Sequence, residues 1–157
     1  MAKLTVSVLI NAPLEKVWDA MWNPFHIVNW NFASDDWHCP AAVWDKPKVG
    51  EIFTNTFAAK DGSFAFDFTA KYDLVEPMKH IKYTMGEMKE YFLPAGREVE
   101  VFFEKVPLWE RGMSEGQGDF WIKVTEIFDA EDIHSEEMQI GGWTAILENF
   151  KRYVESC

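Results

Sequence analysis

The chain has 157 residues, with 15 Lys and Arg against 26 Asp and Glu, a formal charge of −11 at pH 7. A single domain of this size buries roughly 70% of the surface its unfolded chain exposes, so neither a metal nor a disulfide scaffold is needed for folding. The acidic balance, with no Lys/Arg-rich stripe, excludes nucleic acid and an anionic membrane surface as expected partners.

In chain order, residues 3–10 place Leu4, Val6, Val8 and Ile10 on one face, the period of a half-buried strand. Lys3 followed by LTVSVLI is too short and polar for a signal-peptide core. Pro13 suits a first helical position, and Leu14, Val17, Trp18 and Met21 follow at helical spacing up to about Trp22, where Asn23-Pro24 stops the helix. A second short helical turn is expected around Phe25, Ile27 and Val28, and residues 29–40 have no clean period.

From about Val43 to Ala130 the pattern is one of strands separated by turns. Phe53, Asn55 and Phe57 share a face, with Ile52, Thr54 and Thr56 opposite. Asp61-Gly62 signals a tight type I′ hairpin. Phe64, Phe66, Phe68, Ala70, Tyr72 and Leu74 then line one face of the partner strand, leaving Asp67 to solvent. Strands carrying Ile81, Tyr83 and Met85 and spanning 97–106 follow, then a long polar hairpin loop over 107–118 containing Trp109, then a strand over 120–128. Ser135 caps a final helix whose apolar stripe is Trp143, Ile146, Leu147, Phe150 and Val154. One strand, one or two short helices, about six strands and a long helix define an α+β domain spanning 1–157, with the helices segregated on an antiparallel sheet.

The two cysteines, Cys39 and Cys157, have neither CxxC nor zinc-ligand spacing, so a reduced, cytoplasmic setting is expected. No apolar run reaches the roughly 18 residues of a membrane span. No phosphate-binding glycine loop, nucleophile elbow or zinc-protease motif is present, and neither a cofactor nor a metal is expected.

The segment INAPLEKVWDAMWNPFHIVNW, the middle pieces DDWHCP and AKDGSFAFDFTAKYDLVEP, and the terminal KVTEIFDAE with EEMQIGGWTAILENFKRYVE resemble a helix-grip domain of the START/SRPBCC superfamily, in the branch of the activator of heat-shock protein ATPase. The resemblance implies a curved seven-stranded antiparallel sheet wrapped around the C-terminal helix, with a cavity between them. Relatives of this kind include lipid and hormone carriers, aromatic cyclases and co-chaperone domains, so fold alone does not choose a function.

Aromatic residues make up 16% of the chain, with 8 Trp and 13 Phe. Such rings are either plain core or the walls of a cavity. The expected cavity walls are Trp30, Trp37, Phe57, Phe66, Phe68, Phe103 and Trp143, with Asn55, Tyr83 and Glu126 as polar groups orienting a hydrophobic or aromatic guest. Glu126 shares its face with Phe120, Ile122, Val124 and Phe128, which implies either a buried carboxyl with a raised pKa or a structurally satisfied one. His38, beside Asp35 and Asp36, is open to three roles: part of an aromatic cap over the cavity, a general acid or base, or a metal ligand. Gly141-Gly142, costly inside a helix, implies either close approach to a neighbouring segment or room for a ligand beside Trp143. Two other functions stay open: a cyclase or dehydratase using Glu126, Tyr83 and His38, and a protein-binding module contacting a chaperone or other protein through the 107–118 loop; a homodimer would form through a sheet edge or the outer sheet face.

Overall fold

The computed structural model describes residues 2–43, 47–107 and 120–157. Its elements are β1 (Lys3–Ile10), α1 (Leu14–Trp22), α2 (Pro24–Ile27), β2 (Trp37–Val43), β3 (Ile52–Ala59), β4 (Ala65–Glu76), β5 (His80–Met85), β6 (Glu98–Pro107), β7 (Phe120–Asp129) and α3 (Glu136–Ser156). A single antiparallel sheet holds the seven strands in the order β1-β7-β6-β5-β4-β3-β2. Each strand from β2 to β7 therefore lies beside its successor, and β1 adds to the far edge next to β7. The sheet curls as a half-barrel with α3 against its concave face, the expected α+β helix-grip architecture.

The period of two fixes what faces inward. β1 buries Leu4, Val6, Val8 and Ile10; β5 buries Ile81, Tyr83 and Met85; β6 buries Val99, Val101 and Phe103. On α3, the Ser135 hydroxyl accepts from the Met138 N–H at 3.1 Å, and Glu136 and Glu137 occupy the first turn, where the helix dipole favours them. Leu147, Phe150 and Val154 are fully buried. The Trp143 ring stacks on Phe128 of β7 with centroids 3.9 Å apart, and Trp30 meets Phe150 edge-on at 4.7 Å. Lys151 Nζ donates to the Leu9 carbonyl at 2.6 Å, tying the helix to β1.

Four local features differ from the sequence reading. Pro13 is the residue before α1 rather than its first helical position, with an extended ψ of 148° and a carbonyl that accepts the first helical hydrogen bonds. Residues 37–43 form an edge strand where no period is visible, because the register shifts between His38 and Ala41 around Cys39 and Pro40 and so erases the alternation. At Asp61-Gly62 only Gly62 has positive φ, +79°, so the turn is not type I′. The loop is longer, closed by Ala59 N–H to Phe64 carbonyl, with Asp61 Oδ1 accepting from Ser63 N–H at 2.8 Å. In β4 a second irregularity between Tyr72 and Leu74 sets Leu74 opposite Lys82 and Val75 opposite Ile81, so Val75 rather than Leu74 joins the core face. Phe120, though on the Glu126 face, is 49% exposed at the end of β7. The expected loop falls mostly on residues 108–119, Trp109 included, outside the described residues.

Because Phe150 is fully enclosed between sheet, α3 and Trp30, Phe150→Ala is expected to cost about 3–5 kcal/mol, measured by urea denaturation.

Candidate functional site

Between the concave face and the first half of α3 lies a cavity of about 500 Å³. One wall is aromatic: Phe53 and Phe57 of β3, Phe66 and Phe68 of β4, Tyr91, and Trp37 at the start of β2. The facing wall comes from Trp22, Ile27, Trp30, Asn31 and Phe32 on the helical side, and from Gly142, Trp143 and Ile146 of α3. A polar end is formed by Arg97, Glu131, His134 and Gln139, with Met85, Met88 and Leu93 beside them. The rings support one another: Phe57 stacks on Phe66 at 5.3 Å, Tyr91 meets Phe66 edge-on at 4.9 Å, and Phe53 meets Tyr83 edge-on at 5.2 Å.

The wall holds an unusual share of unsatisfied polar atoms. Among the described residues, the buried side-chain atoms without a hydrogen-bond partner are Trp22 Nε1, Asn55 Oδ1, Arg97 Nε and Thr125 Oγ1, and the first three belong to residues that line the cavity. Buried polar groups in folded proteins are nearly always paired, so each of these atoms is an exception.

Glu126 rises from β7 with Val6 of β1 and Val101 of β6 opposite it on either side. It keeps some surface open to the cavity while lying away from bulk solvent. No hydrogen bond or ion pair among the described residues holds its carboxyl. Burial pushes that carboxyl up to about 8, so at neutral pH it is mostly the neutral acid and can donate. The Tyr83 hydroxyl is driven well above its ordinary range, by burial first and then by the Glu126 and Tyr72 charges. The site therefore offers two protonated donors within a largely apolar lining.

Of the residues singled out in the sequence, Trp30, Trp37, Asn55, Phe57, Phe66, Phe68, Tyr83, Glu126 and Trp143 lie on this wall. Phe103 and His38 do not. Phe103 points inward from β6 but packs edge-on against Trp18 of α1 at 5.1 Å, filling core beyond the cavity. His38 pairs with Ala58 on the edge strand, outside the lining, because it alternates with Trp37, which faces the cavity. Asp35 and Asp36 are exposed, and among the described residues no group of three or more His, Cys, Asp and Glu side chains could hold a metal ion. Close approach does not explain Gly141-Gly142, since a Cβ at either position would meet nothing within 4 Å; at Gly142 the open space is the cavity itself.

Sequence reasoning missed Arg97, His134 and Gln139. Arg97 was findable, since it continues the alternation of Val99, Val101 and Phe103 by one step. So was Gln139, which lies on the first turn of α3 four residues before Trp143 and continues its inward stripe; His134 was not, because it sits in the irregular lead-in to the helix. There Gln139 Oε1 accepts from Glu131 N–H at 2.8 Å and its Nε2 donates to the Glu131 and His134 carbonyls.

Among the described residues no helix is long and apolar enough to cross a membrane. The model of the family described as Activator of Hsp90 ATPase homolog 1-like protein matches residues 11–155. An AHSA1-like protein from Aeromonas hydrophila, solved by NMR, is 37% identical with a TM-score of 0.76, the alignment covering 99% of this chain and 93% of that one. A solution structure from Cytophaga hutchinsonii is 41% identical with a TM-score of 0.73, covering 98% and 92%. A crystal structure from Chromobacterium violaceum, 17% identical and covering 99% of both chains at a TM-score of 0.75, shares the fold. No protein with a curated description matches significantly.

Two outcomes follow from this geometry. The native chain holds the Glu126 proton up to about pH 8, whereas the ordinary carboxyl value is 4.5. Between those values the native state binds more protons than the unfolded one, so this residue's contribution to stability falls as pH rises and levels off above pH 8. Glu126→Gln is expected to remove that fall, a difference of a few kcal/mol between the two ends of the range, read from urea denaturation at each pH. Gly141→Ala and Gly142→Ala, with open space at each Cβ, are each expected to raise stability by about 0.5–1 kcal/mol in the same assay.

Proposed function

The chain belongs to the Activator of Hsp90 ATPase homolog 1-like family, and on that footing we propose that it is a small-molecule binding protein whose guest, hydrophobic or aromatic, lies between the curled sheet and α3. The observation that carries this is the cavity of about 500 Å³ whose wall combines aromatic rings with unpartnered buried polar atoms. That volume falls within the range of sites for drug-sized ligands, which are mostly apolar with a few orienting polar groups. Trp143, held flat against Phe128, is a rigid ring surface for the guest, and Glu126, Tyr83 and Asn55 supply its hydrogen bonds.

A cyclase or dehydratase would need an acid and a base together. The base sought in His38 lies outside the cavity, and Glu126 and Tyr83 both keep their protons at neutral pH. That pair suits hydrogen-bond donation to a bound guest better than proton abstraction.

Gly142 gives a test that spares the fold. Gly142→Leu adds a side chain where the backbone meets open cavity, and it also improves helix propensity. Binding of the neutral dye Nile red, followed by fluorescence, is expected to weaken about tenfold or more in Gly142→Leu. Gly141→Leu, on the exposed side of the helix, is expected to bind as the parent does. Equal binding by all three proteins counts against a guest in this cavity.

A further inference from the structure

One residue ahead of β6, Arg97 continues the inward face of Val99, Val101 and Phe103 and lines the polar end of the cavity while only 6% exposed. A guanidinium does not give up its proton in a protein, so a full positive charge is buried there. Among the described residues its one direct side-chain partner is a thioether: Nη2 donates to Met88 Sδ at 3.8 Å. Sulfur of this kind is a weak acceptor. Nε, sealed from solvent, has no acceptor at all.

Two carboxylates act on Arg97 through space, Glu131 and Asp129, and both are engaged elsewhere. Asp129 Oδ1 takes Lys3 Nζ at 2.7 Å, and Oδ2 takes the Glu98 N–H at 2.8 Å. Glu131 accepts from the His134 N–H at 2.5 Å and pairs with the His134 ring Nδ1 at 2.9 Å. The guanidinium is thus balanced in charge but left without the directional acceptors that make a buried arginine inexpensive. Arg97 lines one end of a largely apolar cavity, and the paired N–H donors of a guanidinium match a carboxylate, which accepts two parallel N–H bonds.

We propose that the guest is an amphipathic anion whose carboxylate is received by Arg97 while its apolar body lies along the aromatic wall. This rests on the cavity-binding function above and adds the charge and the direction of the guest. The overall charge of −11 repels anions at long range, so recognition of this kind is local, and the apolar body must supply much of the affinity.

The experiment displaces Nile red from the full chain with decanoate and with decanol, matched in chain length and differing in head group. A purely apolar cavity prefers the alcohol, whose head is cheaper to dehydrate. Decanoate is expected to displace the dye at a concentration about tenfold below that of decanol. Arg97→Met is expected to erase that preference by weakening decanoate about tenfold, leaving decanol within about twofold. Should Arg97→Met fail to fold, the pair of ligands on the parent protein decides. Decanol displacing bound dye as well as decanoate overturns the anion assignment and leaves the cavity function standing. No dye binding overturns both.

Discussion

Seven strands spaced about 4.8 Å apart make a sheet roughly 30 Å across, and a helix about 10 Å wide can seat against only part of it. In this chain α3 seats on the β1 and β7 side, where Trp143 stacks on Phe128 and Lys151 reaches the Leu9 carbonyl. Curling brings the β3 and β4 faces around toward the helix without closing the distance. Rings fill part of what remains, and a void of about 500 Å³ is left. Gly142 keeps the helix side of that void open, where any larger residue would narrow it.

A recess walled mainly by apolar side chains changes the chemistry of whatever faces it. Glu126 would be an unremarkable surface acid elsewhere, yet between Val6 and Val101 it has no partner and keeps its proton to about pH 8. Trp22 Nε1, Asn55 Oδ1 and Arg97 Nε share its condition of burial without a hydrogen bond. A neighbouring buried donor is paired: Trp30 Nε1 donates to the Ala20 carbonyl at 2.9 Å. Of the four buried side-chain atoms left unpaired among the described residues, three belong to residues around the cavity, the fourth being Thr125 Oγ1.

Much of this was legible in the sequence because strand alternation survives wherever the pairing is regular. Leu4 to Ile10, Phe53 to Phe57, Ile81 to Met85 and Ile122 to Phe128 all face as their period of two requires, and that parity placed Asn55, Tyr83 and Glu126 inward. Legibility failed where geometry departs from strict alternation. The irregularity after Tyr72 moved Leu74 off the core face, and the one around Cys39-Pro40 hid β2 and with it the alternation that sets Trp37 inward and His38 outward. Phe103 shows a different limit. Its face was right, but whether an inward ring meets a void or another ring depends on α1, and Trp18 fills that space. The Gly141-Gly142 pair was open to two explanations, and only the position of the helix relative to the sheet separates them.

Membership of the Activator of Hsp90 ATPase homolog 1-like family fixes the scaffold, and the cavity wall supplies what is particular to this chain. The account stands or falls on whether that cavity holds a guest. Native mass spectrometry of the chain isolated from its own host, with extraction and identification of whatever is bound, addresses this directly. A stoichiometric apolar guest, held by the parent and absent from Gly142→Leu, is the expected result. A chain that emerges empty, and whose melting temperature no member of a broad panel of hydrophobic compounds raises, would contradict it.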